Sequence, residues 1–219
     1  MTVRHSEPSL LMSLDDEPYQ PSSRLLDLVV KITERVIRMM RNPIAAHPML
    51  SARDGAGPRW YEHPTGDHYH LLRAVCEVLE PKIIWEFGTG TGMSTVAMMC
   101  GGGWEIHTVD TIDYSTWINR QSDPIQVHIG DMCDTLLHEA YCGNLYHTDL
   151  IFVDGPKDGV TEAKFCELLD TLPFARPPIV IFDDIRLMNM VHVWRAIRHP
   201  KMDVTSLGHW SGTGMVEWS

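Results

Sequence analysis

Four apolar runs in this chain end in an acid. Glu86 closes Lys82–Trp85 and Asp110 closes Glu105–Val109. Asp154 follows Leu150–Val153, and Asp183 follows Pro178–Phe182. A second acid, Asp184, comes directly after Asp183, and Lys157 stands three residues beyond Asp154. Ligands of open α/β sheets lie beyond the carboxyl ends of the strands, so these acids are expected to converge on one crevice. The first run continues into Phe87-Gly88-Thr89-Gly90-Thr91-Gly92-Met93-Ser94. Glycine lets a main chain turn tightly and come close to a small ligand. Asp110 falls about 20 residues after those glycines, where a carboxylate with two acceptor oxygens can take both hydroxyls of a diol. Asp113 is close enough to share that role, and Asp110 can also simply cap the next turn.

The elements that position these residues can be read from spacing. Val- and Ile-rich strands are predicted at Lys82–Glu86, Glu105–Asp110, Ile125–Ile129, Leu150–Asp154 and Pro178–Asp183. Helices are predicted between them, at Ser94–Cys100, Ser115–Arg120, Asp134–Ala140 and Thr161–Leu169. Such alternation means a parallel sheet covered on both faces. Upstream, Ser22 or Ser23 can cap a helix reaching Arg41. Its stripe of Leu25, Leu28, Val29, Ile32, Val36, Met39 and Met40 suits a core or a dimer face. Asn42–Gly66 reads as a linker and candidate lid, with Trp60, Tyr61 and His63 as substrate contacts or plain packing. A further helix is predicted from Asp67 to Leu79. After the sheet come a helix at Met188–Arg198 and a hairpin formed by Lys201–Leu207 and Met215–Trp218. The turn Gly208–Gly214 between them carries no lysine and does not read as a phosphate loop.

The glycine turn lacks the third glycine of a dinucleotide fingerprint, since Met93 stands there. With Glu86 two residues before Gly88, it resembles motif I of the class I S-adenosylmethionine (SAM) methyltransferases. The resemblance covers about Asp67 to Ser219. It implies a Rossmann-like, doubly wound seven-stranded α/β sheet with the last strand antiparallel, here preceded by an N-terminal helical extension. Residues 1–66 would form an arm, helix and lid, and residues 67–219 the SAM-binding domain. It also implies Glu86 near the SAM ammonium, Gly88, Thr89, Gly90 and Ser94 around the methionine and ribose, and Asp110 on the ribose. In Gly130-Asp131-Met132, Asp131 would accept from the adenine amine and Met132 would pack on the ring. Trp104 and Trp117 suit either that ring or the core.

Asp154, Lys157 and Asp183 match the catechol O-methyltransferase group by type and spacing. There, a strand-end Asp and a later Asp-Asn pair hold Mg²⁺, and the Lys removes the substrate proton. Asp184 replaces the Asn, as in sugar and macrolide O-methyltransferases with an Asp-Asp pair. The resemblance therefore implies Asp154, Asp183 and Asp184 as metal ligands, and Asp154 and Lys157 as the catalytic pair. Mg²⁺ prefers hard oxygen ligands and keeps positions open for water and substrate. Lys157 is expected to have a depressed pKa beside a cation and a sulfonium. Without a metal, Asp154 would bind substrate directly and Asp183-Asp184 would cap the turn before Ile185. His68, His70 and His192 would then be alternative bases.

Composition narrows the classes. Among 219 residues the net charge is −11, so nucleic acid is a poor partner. Five scattered cysteines without a Cys-x-x-Cys pair suit a reduced, cytoplasmic setting. No uncharged run approaches the roughly 20 residues that cross a bilayer. The expected activity is methyl transfer from SAM to a hydroxyl of a small sugar, glycosylated or catechol-like acceptor, in a possible homodimer. The rivals are a metal-independent N- or O-methyltransferase and a non-catalytic SAM-fold binding protein. An NAD-linked oxidoreductase is more distant, because of Met93.

Overall fold

The structure, a computed structural model, describes residues 20–42, 67–99, 102–134 and 143–219. The arm through Tyr19, most of the Asn42–Gly66 linker with Trp60, Tyr61 and His63, and the helix expected at 135–140 lie outside them. In chain order the elements are α1 (Ser23–Met40), α2 (Asp67–Leu79), β1 (Ile83–Phe87), α3 (Met93–Met99), β2 (Glu105–Asp110) and β3 (Ile125–Ile129). Then follow β4 (Leu150–Val153), α4 (Val160–Thr171), β5 (Ile179–Asp183), α5 (Met190–Ala196), β6 (Lys201–Asp203) and β7 (Thr213–Glu217). Seven strands form one sheet in the order β3-β2-β1-β4-β5-β7-β6. β1 through β5 pair in parallel, and β7 runs antiparallel to both β5 and β6. Among the described residues, no helix is long and apolar enough to cross a membrane.

Strand alternation decides which side chains meet which helices. Ile84, Leu150, Phe152, Ile179 and Ile181 point to the face covered by α1, α2 and α3. Trp85, Phe87, Ile151, Val153, Val180 and Phe182 point to the other face, under α4 and α5. Two residues on from Ile84 and Ile181, Glu86 and Asp183 therefore return to the α2–α3 side. This parity brings strand-end acids to the start of α2.

α1 is capped by Ser22, whose Oγ accepts from Leu25 N–H at 3.1 Å. Its stripe serves the core, since Leu25, Ile32, Val36 and Met39 are buried against α2 and the sheet, while Met40 is 42% exposed. Arg24 ties it to β7 through Glu217 at 2.9 Å.

Two expectations need correction. Ser115–Arg120 is a series of turns. Asp113 Oδ1 accepts from Ser115 N at 3.1 Å and from its Oγ at 2.5 Å, and Asp123 accepts from Asn119 N at 2.8 Å. Such local bonds compete with helix formation. The first hairpin strand is only Lys201–Asp203, because Thr205–Leu207 turns into a 3-10 helix after Asp203 accepts from Thr205 N–H at 2.9 Å.

Candidate active site

A cavity of about 430 Å³ lies over the carboxyl ends of β1, β2, β3 and β4. Its wall includes Gly88, Thr89, Gly90, Ser94, Asp110, Asp131, Met132 and Asp154. This is the point where strand order reverses on either side of β1, the usual ligand crevice of such sheets. Gly88 is needed there for two reasons. Its φ is +100°, and a Cβ would fall 1.9 Å from the Asp154 carbonyl oxygen. The β1 turn and the end of β4 thus touch backbone to backbone. Gly90 has φ +48° and nothing within 4 Å of its would-be Cβ.

Asp110 Oδ2 accepts from Gly90 N–H at 2.9 Å, and Oδ1 from Thr111 N–H at 2.7 Å. Each oxygen keeps further acceptor capacity for a ligand diol. Asp113 is instead bound to Arg120 at 2.5 Å and is not on the wall. Asp131 Oδ1 accepts from Cys133 N–H at 2.9 Å, which fixes the carboxylate beside Met132 at the cavity edge. Trp104 and Trp117 pack against the core, and Trp104 Nε1 donates to Met98 O at 2.8 Å.

Glu86 is fully buried beneath the cavity and is not part of its wall. Ser94 donates to it at 2.5 Å, Thr108 at 2.6 Å, and Thr95 also donates. Burial pushes its carboxyl up to about 7, against the pull of these three hydroxyls. Ser94 lies on the wall and bonds to Glu86, so the acid reaches the cavity through that hydroxyl.

The second half of the site sits at the ends of β4 and β5. Asp154, Asp183 and Asp184 each place an oxygen within 4.8 Å of the others. Lys157 Nζ is 2.6 Å from Asp154 Oδ1 and 3.5 Å from Asp184 Oδ2. The lysine loop is held by buried Glu162, which accepts from Lys157 N–H at 2.6 Å and Gly159 N–H at 2.9 Å. Lys157 and Asp184 both have left-handed backbones, φ 64° and 59°. Non-glycine residues held this way cluster at functional sites.

The charges are unequal. Burial drives Asp183 up to about 7, helped by Asp154. Burial also opposes ionisation of Asp184, yet bonds from His209 and Ser211 bring it down to about 2. Burial alone would lower Lys157, but Asp154 and Asp183 outweigh it and hold the ammonium above its ordinary value. Asp184 adds to the same effect, so three carboxylates favour the charged lysine, whereas the depressed value expected from sequence refers to a lysine beside a bound cation and a sulfonium.

Three residues of this cluster escape the sequence reading or enter it weakly. His209 lies 3.3 Å from Asp184 Oδ1, and Ser211 donates to the same carboxylate. Both come from the turn before β7, where composition gives no sign of a site. His68, at the start of α2, is buried and lowered to about 4 by desolvation, so its ring is neutral. His70 is buried and His192 exposed, and neither belongs to these acidic clusters.

No protein-family model matches the chain, and no curated protein matches its sequence. Solved structures do share its architecture. A Podospora anserina methyltransferase with S-adenosylhomocysteine (SAH) bound superposes with a TM-score of 0.57 at 17% identity, covering 85% of this chain and 95% of that one. A Geobacter sulfurreducens methyltransferase gives 0.53 at 14% identity, over 84% and 88% of the two chains. The O-methyltransferase of tomaymycin synthesis from Streptomyces achromogenes, in complex with SAM, gives 0.50 at 16% identity over 82% and 89%. The fold is that of the class I SAM-dependent methyltransferases, with the terminal antiparallel strand and an added N-terminal helix.

Proposed function

We propose that this chain is a SAM-dependent O-methyltransferase acting on a small hydroxyl acceptor, assisted by a divalent cation of the Mg²⁺ type. One observation carries the reading: the cavity lined by Gly88, Gly90, Asp110, Asp131 and Met132 reaches Asp154, the first member of the acid cluster. A donor placed there brings its reacting methyl toward the residues that can hold and deprotonate an acceptor. Asp110 takes the ribose hydroxyls and Asp131 the adenine amine, while Glu86 and Ser94 support the methionine end from beneath.

The residues at the second half fit a cation. Asp183 Oδ1 is buried without a hydrogen-bond partner, and its oxygen neighbours on Asp154 and Asp184 are hard donors of the kind Mg²⁺ prefers. Asp154, Asp183 and Asp184 would hold such a cation, which would supply Lewis acidity to an acceptor hydroxyl. Asp154 and Asp184 orient Lys157, and Lys157 can take the hydroxyl proton only where those carboxylates are charge-compensated. In the transfer itself the sulfur–methyl bond breaks as the oxygen–methyl bond forms, and the hydroxyl proton leaves to the base. Alignment of the two partners supplies much of the acceleration.

The test is SAH binding by calorimetry, followed by labelled methyl transfer to a panel of catechols, sugars and glycosides, with and without EDTA. Binding with EDTA-sensitive transfer is the expected result. Absence of SAH binding would overturn the reading. Full turnover in excess EDTA would leave methyl transfer and remove the cation.

A further inference from the structure

Asp183 stands between two different sets of donors. One set is Asp154 and Asp184, and it already contains the Lys157 ammonium. The other is His68 and His209, each of which offers a ring nitrogen within 4.8 Å of the other and of an Asp183 oxygen. Among the described residues, the ion pair Asp183 makes is with His209, 3.9 Å from Nδ1 to Oδ1.

The second set carries groups that want a ligand. Asp183 Oδ1 and His68 Nδ1 are buried with no hydrogen-bond partner, in residues only 4% and 7% exposed. Buried polar groups left without a partner are destabilising unless something fills the space. The rings are also held in place. His68 lies 6.4 Å from Phe152 in a stacked arrangement, 4.1 Å from Tyr69, and meets His209 edge-on at 5.2 Å.

We infer that His68, His209 and Asp183 form a site for a divalent transition-metal ion, with Asp183 the ligand it shares with the carboxylate set. Imidazole suits Zn²⁺, Fe²⁺, Co²⁺ or Ni²⁺, whereas Mg²⁺ selects oxygen and water. The carboxylate set, by contrast, is partly neutralised by its own lysine. His209 gives up the contact its Nδ1 shares with Ser211 and Asp184, and any proton on that nitrogen leaves to solvent. The inference concerns a donor set distinct from the Mg²⁺-type site proposed above and rests on that reading only for the ion's use in methyl transfer; ion binding itself is tested on these three side chains.

The experiment is metal binding to the full chain. Zn²⁺ at one equivalent is examined by X-ray absorption, and Co²⁺ is titrated by its visible spectrum in the presence of a large excess of Mg²⁺. Imidazole scattering from the zinc and a cobalt spectrum unaffected by Mg²⁺ are expected. His68→Gln and His209→Gln should each weaken Co²⁺ binding at least ten-fold, with SAH affinity unchanged. A wild-type zinc spectrum without imidazole scattering would overturn the inference, whether or not the variants fold. So would Co²⁺ binding that survives both histidine changes and is lost in Asp154→Asn and Asp184→Asn. If SAH does not bind but the Co²⁺ results hold, the metal site stands and the methyltransferase reading falls.

Discussion

Replacing Gly88 and Gly90 separately by alanine divides architecture from binding. At Gly88 the new Cβ would sit 1.9 Å from the Asp154 carbonyl oxygen and 2.7 Å from its carbon. Those are backbone atoms, and Asp154 N–H is itself tied to Phe87 O at 2.8 Å. The φ of +100° adds strain. Left-handed strain and overpacking cost about 1–3 kcal/mol each, so Gly88→Ala should lose about 2–6 kcal/mol. For a chain of this size that is a fall in Tm of about 5–20 °C. At Gly90 the Cβ meets nothing within 4 Å, and φ is +48°. Left-handed backbone alone costs about 1–2 kcal/mol there. The methyl would stand at the cavity wall, beside the amide that Asp110 accepts. Gly90→Ala should therefore melt within a few degrees of wild type yet bind SAH at least ten-fold more weakly. Thermal and urea unfolding with calorimetry of SAH separate the two effects. A Gly88→Ala protein that melts like wild type, or a Gly90→Ala protein with normal SAH affinity, would refute the geometry argued here.

Asp110→Ala should weaken SAH binding about 10- to 100-fold, the worth of charged hydrogen bonds of about 1.5–3 kcal/mol; unchanged affinity in calorimetry would remove the diol assignment. Glu86→Gln tests the buried carboxyl through pH. Its folded value, about 7, lies above the ordinary 4.5, so the native state holds this proton more tightly. That stabilisation is complete below pH 4.5 and is lost as pH rises through 7. Wild type should lose about 3 kcal/mol relative to the glutamine variant over that interval, and parallel urea-stability profiles would show an ordinary carboxyl. Lys157→Met should slow methyl transfer about 10²-fold or more while SAH still binds. A wild-type rate would assign the proton to another base.

The glycine-turn side of the cavity was legible because its residues are tied to regular elements. Asp110 and Asp131 follow β2 and β3, and the glycines follow β1, so an apolar run and its next few residues suffice. Strand parity likewise accounts for Asp183 facing α2. The acidic cluster was only partly legible. His209 and Ser211 reach Asp184 because β7 inserts between β5 and β6, a neighbourhood set by sheet order and not by local sequence. Lys157 was recognisable by spacing, but its charge depends on how closely Asp154 and Asp184 approach it, which spacing does not give. Ser115–Arg120 misled because the composition allows a helix while Asp113, Asn119 and Asp123 engage the backbone locally.

The insertion of β7 also orders assembly. β7 is synthesised after β6 but lies between it and β5, so one edge of β5 stays open until the later strand slots in. Only then do Ser211 and His209 arrive beside Asp184, and Ile185 N–H find Gly212 O at 3.1 Å. A chain cut before His209 would keep its glycine turn but lack the two side chains that bond Asp184.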